Sequence, residues 1–210
     1  MALVLPQFPL EIVAFPGLPL PLHIFELRYK QLFQDCVQQD LKFGIIPVID
    51  GKLQDLGTRM KISKIVRQYD DGRLDVACEG EDLFRVLEFR SKASGKLYPE
   101  ATIELMKGEH KKDSLATDSI KSKVTELFDL MKISKPPHQI EAMTLFQIAK
   151  MIGLSIQEEF ELLQLQAFAS RQEKIIQHLV QIIPKVREAE RVRRHIEMNG
   201  QFLNLQPPKV

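Results

Sequence analysis

The period of the apolar positions changes near residue 108. Before it, short runs of β-branched and aromatic residues such as "FGIIPVI", "LDVACEG" and "FRVLEF" alternate with turn signals, which is typical of strands. After it, apolar residues recur every three or four positions, as on one face of a helix. Eight of the ten glycines lie in residues 1–108. We therefore predict a β-rich domain over 1–108, a helical domain over 109–200 and a flexible tail over 201–210.

One helix interrupts the predicted strands. Between Glu26 and Asp40 the apolar side chains recur at helical spacing, and Gly44 ends the signal. Such a pattern indicates an amphipathic helix with one buried face. We expect this helix to pack on a sheet or barrel through a face that contains Leu32, Phe33, Cys36 and Val37.

A hairpin is predicted around Asp71-Gly72. This dipeptide separates two strand-like runs and tolerates the positive φ that a tight connection needs. In the first run, "MKISKIV", strict alternation fails at Ile65 and Val66. We interpret the failure as a bulge or a change of buried face.

Helix-start and helix-stop signals divide residues 109–200 into about four helices. The first should end before Pro136 and the second at Gly153, because proline and glycine interrupt helices. Ser155 and Ser170 are each followed three residues later by glutamate, the spacing of a capping box. They should open the third helix and the long last one, which Pro184 should kink.

Composition narrows the class of protein. The chain has 210 residues, 29 Lys+Arg and 28 Asp+Glu, hence a net charge of +1 that gives no global reason to bind nucleic acid or acidic membranes. Its two cysteines lack the spacing of a disulfide framework or a zinc site. Long apolar runs and a secretory leader are absent from the sequence. We expect a cytoplasmic protein that does not bind a membrane.

Motifs for catalysis are missing from the sequence. It contains no GxxxxGK[ST], GxSxG or HExxH pattern, and its five histidines are scattered. Carboxylate pairs such as Asp70-Asp71 lie at turn signals, where solvated loops are the ordinary explanation. We therefore expect no enzymatic activity, no metal and no cofactor.

Three arginines near the end of the last helix are the candidate nucleic-acid contacts. Arg187, Arg191 and Arg194 share one helix face and could contact phosphates. More often such a run is a solvated face, with Glu190 and Arg194 as an ordinary i,i+4 pair.

The segment "LPQFPLEIVAFPGLPLPLHIFELRY" resembles the start of the Lon protease N-terminal domain, the Lon substrate-binding domain family. That family has an FPL strand, an FPG turn, a leucine-proline-leucine strand and an IFE-x-RY helix start. Later segments stand in the family's order, and the helical remainder is similar to its helical extension. The matching positions are Phe8-Pro9-Leu10, Phe15-Pro16-Gly17, Leu20-Pro21-Leu22-His23, Ile24-Phe25-Glu26, Arg28-Tyr29, Gly57-Thr58, Asp71-Gly72-Arg73-Leu74, Gly80 and Phe84-Arg85-Val86-Leu87.

The resemblance implies an α+β fold: a PUA-like β pseudobarrel with one packed helix, followed by a C-terminal helical bundle with a long last helix. It implies no catalytic residue. In Lon the domain helps capture unfolded or tagged polypeptides, and in the related cereblon domain it serves as an adaptor part. No ATPase or peptidase motif is present, so we expect a stand-alone, non-catalytic polypeptide-recognition module or adaptor. Its partners would be unfolded polypeptides or components of proteolysis. RNA binding is the alternative, since PUA-like barrels also bind RNA.

The proline-rich start offers weak candidates for polypeptide contacts. Phe15, Leu18 and Pro19 could form an exposed apolar loop tip. Alternatively they close the base of the barrel, because large apolar residues are usually buried. The prolines themselves interrupt apolar strand-like residues, so we interpret them as edges and corners of a barrel rather than as a ligand for a proline-reading domain.

Overall fold

The structure is a computed structural model that describes residues 2–106, 116–135 and 137–202. Its strands are β1 (Ala2–Pro6), β2 (Pro19–Ile24), β3 (Phe43–Ile45), β4 (Val48–Ile49), β5 (Lys52–Leu53), β6 (Leu56–Gln68), β7 (Leu74–Arg90) and β8 (Glu100–Leu105). Its helices are α1 (Leu27–Gln39), α2 (Asp118–Leu130), α3 (Pro137–Glu141), α4 (Leu145–Ala149), α5 (Ile156–Gln164) and α6 (Phe168–Phe202).

The chain forms two units. The first comprises Met1–Asp113 and Leu154–Phe168, and the second comprises Ser114–Gly153 and Ala169–Val210. The sequence-based division placed all of 109–200 in one helical domain, whereas α5 lies in the first unit. An amphipathic pattern shows that a helix buries one face, but it does not show against which core. The predicted boundary at 108 and most of the tail 201–210 lie outside the described residues.

The first unit is built on an antiparallel sheet with the order β1-β8-β7-β6-β3. Just after β1, Gln7 forms a parallel bridge with Gly44 of β3, and the Phe8 N–H donates to the Gly44 carbonyl at 2.7 Å. These contacts join the two ends of the strand order and close the sheet into a barrel.

Two prolines lie in β2, which pairs only with β7 among the described strands. Proline has no N–H to donate, so it is tolerated where one side of a strand is free. Pro19 and Pro21 therefore lie at a sheet edge, as the sequence predicted for these two prolines.

Helix α1 closes one side of the barrel. Tyr29, Leu32, Phe33 and Cys36 recur at helical spacing and are buried in one cluster with barrel residues. The helix ends at Asp40, which adopts a left-handed conformation and donates its N–H to the Cys36 carbonyl, a common helix-terminating geometry. The predicted helix between Glu26 and Asp40 is confirmed.

The hairpin and the bulge are also confirmed. Strand β6 ends at Gln68 and β7 begins at Leu74, with Gly72 at φ 81° in the turn. The β6–β7 register shifts between Ile62 and Lys64 and again between Ile65 and Arg67.

The helices after residue 116 differ from the prediction at two helix starts. The expected second helix is split into α3 and α4, because Thr144 and Gln147 form a capping box that opens a new helix. The expected start at Ser170 is wrong, since α6 already begins at Phe168. The capping box at Ser155 is confirmed as the start of α5.

The predicted fold class is confirmed: a mixed α+β chain with an antiparallel barrel, one helix packed on it and a long last helix. Pro184 lies inside α6, which continues past it.

Candidate functional site

Helix α1 is tied to the segment before β8. The carboxylate of Asp35 accepts hydrogen bonds from Lys96 Nζ at 2.7 Å and Tyr98 Oη at 2.8 Å. Burial would raise the pKa of Asp35, but these two donors favour the charged form and hold its pKa below the usual value. One turn earlier, Gln31 Oε1 accepts from the Leu97 N–H at 2.7 Å. The helix is therefore fixed on this side by polar contacts as well as by its apolar face.

Helix α1 also contacts the β6–β7 hairpin. Lys30 Nζ donates to the Asp71 carbonyl at the hairpin turn, at 2.7 Å. Just beyond the turn, Asp75 accepts from His23 Nδ1 at 2.5 Å and from Tyr69 Oη at 2.7 Å. The bonds from His23 and Tyr69 lower the pKa of Asp75. This exposed network braces the hairpin against β2 and so fixes its position beside α1.

Two adjoining depressions, of about 610 Å³ and about 360 Å³, lie between α1 and the hairpin. They share Val37 and Ile65, and so form one groove. We call it the α1/β6 groove; it is lined by one face of α1 with the residues that follow it to Lys42, by Lys61–Ile65 and Gln68 of β6, by Gly72 and Leu74, and by Leu97.

The walls of the α1/β6 groove carry exposed apolar side chains. Leu27 is 72% exposed, and four further large apolar side chains of the groove are also exposed: Val37, Leu41, Ile65 and Leu97. Isolated exposed apolar residues are ordinary, but a group around one concavity is typical of an interaction site. The groove is thus suited to contact apolar side chains of a partner.

The charged residues of the groove are mostly cationic. Four lysines line it, Lys30, Lys42, Lys61 and Lys64, against one acid, Asp40. Lys42 and Lys61 pair with Glu81 and Glu79 of β7. Lys64 makes no ion pair with any residue that the structure describes. An acidic partner would therefore be favoured over a basic one.

The structure places Phe15, Leu18 and Pro19 differently from an exposed apolar tip. Phe15 is only 2% exposed and belongs to the barrel core, Leu18 is half-buried, and Pro19 is exposed in β2. The turn is fastened to β7: the Gly17 N–H donates to the Gly80 carbonyl at 2.9 Å, and the Gly80 N–H donates to the Leu18 carbonyl at 3.1 Å. None of the three lines the α1/β6 groove.

The three arginines of α6 lie along a depression of about 770 Å³ in the second unit. Arg187 pairs with Glu126, and Arg191 pairs with Glu188 at 3.1 Å. Arg194 lines the same depression, together with Glu190. Ion pairing and the intervening carboxylates reduce the positive potential that phosphates would meet.

The described residues offer neither a cluster of metal ligands nor a reactive thiol. The described part of the chain holds no group of three or more His, Cys, Asp or Glu side chains that could bind a metal. Burial raises the pKa of the Cys36 and Cys78 thiols to about 12, which suppresses the reactive thiolate. None of the helices within the described ranges combines the length and apolar character that a membrane crossing needs.

The groove residues were not predicted as a site from the sequence. Val37 was assigned to the buried face of α1, and Ile65 was noted only for breaking the alternation of β6. That break was the one available signal, because an apolar residue out of phase with its strand must face something other than the core.

Comparison with known proteins identifies the family. The family model described as the ATP-dependent protease La (LON) substrate-binding domain matches residues 4–181. The crystal structure of a Lon N-terminal domain protein from Xanthomonas campestris is similar, with 24% identity, a TM-score of 0.63, and coverage of 83% of this chain and 97% of that one. The N-terminal domain of the Mycobacterium avium complex Lon protease is similar at 14% identity and a TM-score of 0.55, covering 84% and 98%. At these identities the two structures establish a shared fold, and the comparisons give RNA binding no support. The chain belongs to the LON substrate-binding domain family.

Proposed function

We propose that this chain is a non-catalytic module that recognises unfolded segments of polypeptides and acts as an adaptor for proteolysis. Membership of a substrate-binding domain family carries the proposal. The exposed apolar residues of the α1/β6 groove supply a physical basis for it, because unfolded chains expose the apolar side chains that folded proteins bury.

Recognition of this kind should be of moderate affinity. An unfolded segment loses conformational freedom when it binds, which offsets part of the energy gained from apolar burial. We expect a Kd on the order of 1 μM, which corresponds to a binding free energy of about 8 kcal/mol.

Fluorescence anisotropy with labelled α-lactalbumin tests the proposal. The reduced, carboxymethylated form is unfolded and the calcium-bound form is folded. Because both are α-lactalbumin, the two probes have the same amino-acid sequence. We expect the unfolded form to bind the chain and the folded form to show no binding at the same concentrations. Equal binding of the two forms, or no binding of the unfolded form, would contradict polypeptide recognition.

The non-catalytic part of the proposal has its own measurement. The unfolded probe is incubated with the chain for hours and then separated by gel electrophoresis. We expect it to be recovered intact, because the sequence lacks the GxSxG and HExxH hydrolase motifs and the described residues form no metal site. Fragments that increase with the concentration of the chain would show a hydrolytic activity instead.

A further inference from the structure

Among the residues that the structure describes, no strand covers one edge of β6 over Lys61–Gln68, eight of its thirteen residues. Strand β7 pairs with one edge of β6 from Leu56 to Gln68. On the other edge, β3 pairs only with Thr58, Arg59 and Met60. Among the described residues no strand pairs with that edge from Lys61 to Gln68. A free edge of this kind presents backbone N–H and C=O groups that can pair with another chain.

The free edge opens into the α1/β6 groove. Five consecutive residues of β6, Lys61–Ile65, line the smaller depression. A wall made by the face of a strand would contribute every second residue, since successive side chains point to opposite faces. Consecutive residues therefore indicate that the groove runs along the edge of β6, with its backbone accessible from α1's side.

Two bulges interrupt the β6–β7 ladder in this stretch. Ser63 is the extra residue at the shift between Ile62 and Lys64, and Val66 is the extra residue at the shift between Ile65 and Arg67. A bulged residue lacks a partner across the ladder. Every residue from Ser63 to Gln68 is exposed, whereas Lys61 and Ile62 are half-buried, so the edge is most open from Ser63 onward.

We propose that an extended segment of a partner polypeptide adds to the Lys61–Ile65 edge as a further strand. Alternate side chains of the segment then point into the groove, against Leu27, Val37 and Ile65. Strand addition takes its affinity from main-chain hydrogen bonds and its specificity from the pockets that receive alternate side chains. This inference rests on the proposed function and adds to it a location, a binding mode and a preferred ligand.

The charges of the groove select the ligand. Lys42 and Lys61 are paired with Glu81 and Glu79, so Lys30 and Lys64 against Asp40 supply the excess positive charge that favours a segment that alternates apolar with acidic residues. They disfavour a second copy of this chain, because antiparallel pairing of two β6 edges would bring Lys61 and Lys64 of one copy against the same cationic strand of the other. Like charges directly opposite each other destabilise such a pair.

Synthetic peptides test the binding mode with the full chain. The probe is a fluorescein-labelled twelve-residue peptide that alternates valine and glutamate, and its control alternates valine and lysine. We expect the valine–glutamate peptide to bind at least tenfold more tightly. Equal affinity of the two would overturn the proposed ligand preference.

N-methylation separates strand addition from side-chain contacts alone. In an extended peptide the N–H groups of alternate residues point to opposite edges. One derivative is methylated on every valine nitrogen and its matched control on every glutamate nitrogen. We expect only one of the two to lose binding, by at least tenfold, because only one edge pairs with β6. Equal affinities would overturn strand addition.

Variants test the location. Ile65→Lys should weaken binding of the valine–glutamate peptide at least tenfold. Val66→Lys is the matched control, because Val66 is the next residue, is 62% exposed and lines neither depression. The affinity of this variant for the valine–glutamate peptide should stay within twofold of the wild type. Lys64→Glu should weaken binding of the same peptide. Lys52→Glu should leave it unchanged, because Lys52 is exposed on β5 and lies outside the groove. Ile65→Thr replaces Ile65→Lys if the latter unfolds.

The outcomes separate this inference from the proposed function. If unfolded α-lactalbumin binds the wild-type chain and Ile65→Lys equally, recognition stands and its location at the β6 edge is overturned. If neither that probe nor the peptides bind the wild type, both proposals fail. Sedimentation velocity tests whether the edge pairs with a second copy of the chain. If the wild type is a dimer and Ile65→Lys is a monomer, the edge is a dimer interface, and the proposal that it binds a partner polypeptide is overturned.

Discussion

Replacement of Gly80 by alanine should destabilise the barrel because β7 touches the proline-rich turn at this residue. A Cβ at Gly80 would lie 2.3 Å from the carbonyl oxygen of Phe15, 3.0 Å from its carbonyl carbon and 3.2 Å from Pro16 Cα. All three are backbone atoms, so no side chain can rotate away to make room. The turn itself would have to move.

The size of the effect follows from that displacement. An unstrained contact needs about 3.5 Å, so the turn must move by about 1 Å. Both hydrogen bonds between the turn and Gly80 would be distorted, and each contributes about 1 kcal/mol. Phe15 is buried in the core, and forced repacking of such a residue costs about 1–3 kcal/mol. We expect the free energy of unfolding to fall by about 3 kcal/mol.

Urea unfolding followed by tyrosine fluorescence measures this effect. The chain has three tyrosines and no tryptophan, and Tyr29, Tyr69 and Tyr98 all lie in the first unit, so the signal reports the barrel. With an m-value of about 2 kcal/mol/M, the midpoint should fall by about 1.5 M.

The matched control is Gly95→Ala. An added Cβ at Gly95 meets nothing within 4 Å, and φ is +69° there, so only conformational strain of about 1 kcal/mol is expected. A midpoint for Gly80→Ala no lower than that of Gly95→Ala would show that the close approach to Phe15 is not what stabilises this region.

Two further predictions concern ionisable groups of α1 and β7. The lowered pKa of Asp35 means that its carboxylate stabilises the fold above its unfolded pKa, near 3.8, and loses this effect as the pH falls through the folded pKa. Asp35→Asn should therefore lower the unfolding midpoint at pH 6 but much less at pH 2.5; an equal deficit at both pH values would contradict the ion pair with Lys96. Cys36 and Cys78, with pKa values of about 12, should resist a chromogenic disulfide reagent at pH 8 until urea unfolds the chain, because the thiolate fraction is on the order of 10⁻⁴ and the sulfurs are buried. Reaction of the folded chain at the rate of a free thiol would contradict their burial.

Local signals predicted the elements well where they were strong. The spacing of Leu32, Phe33 and Cys36 located α1, and Asp71-Gly72 located the hairpin. Weaker signals misled in the helical part. The Ser170 capping pattern lies inside α6, because the inner stripe of that helix extends back through buried Arg171 to Phe168. Conversely, Thr144 and Gln147 form a capping box that opens α4, and its spacing is present in the sequence.

Candidate sites were harder to predict than elements. Phe15 and Leu18 were candidates because their loop is apolar and proline-rich, but the hydrogen bonds to Gly80 hold that loop on β7. The arginines of α6 do share a helix face, yet their charges are partly neutralised by Glu126 and Glu188. A sequence pattern shows which residues share an element; it does not show what lies opposite them.

The amino-acid order was sufficient for the family resemblance, the α+β class, α1 and the β6–β7 hairpin, because caps, turns and apolar periodicity act over a few residues. The α1/β6 groove depended on long-range packing. It exists because β3 stops pairing with β6 at Met60, because the bulge at Ser63 moves Ile65 out of phase, and because Lys30 and Asp35 hold α1 beside that edge. Strand pairing and register depend on contacts between residues far apart in the chain. The free edge could therefore be identified only from the tertiary structure.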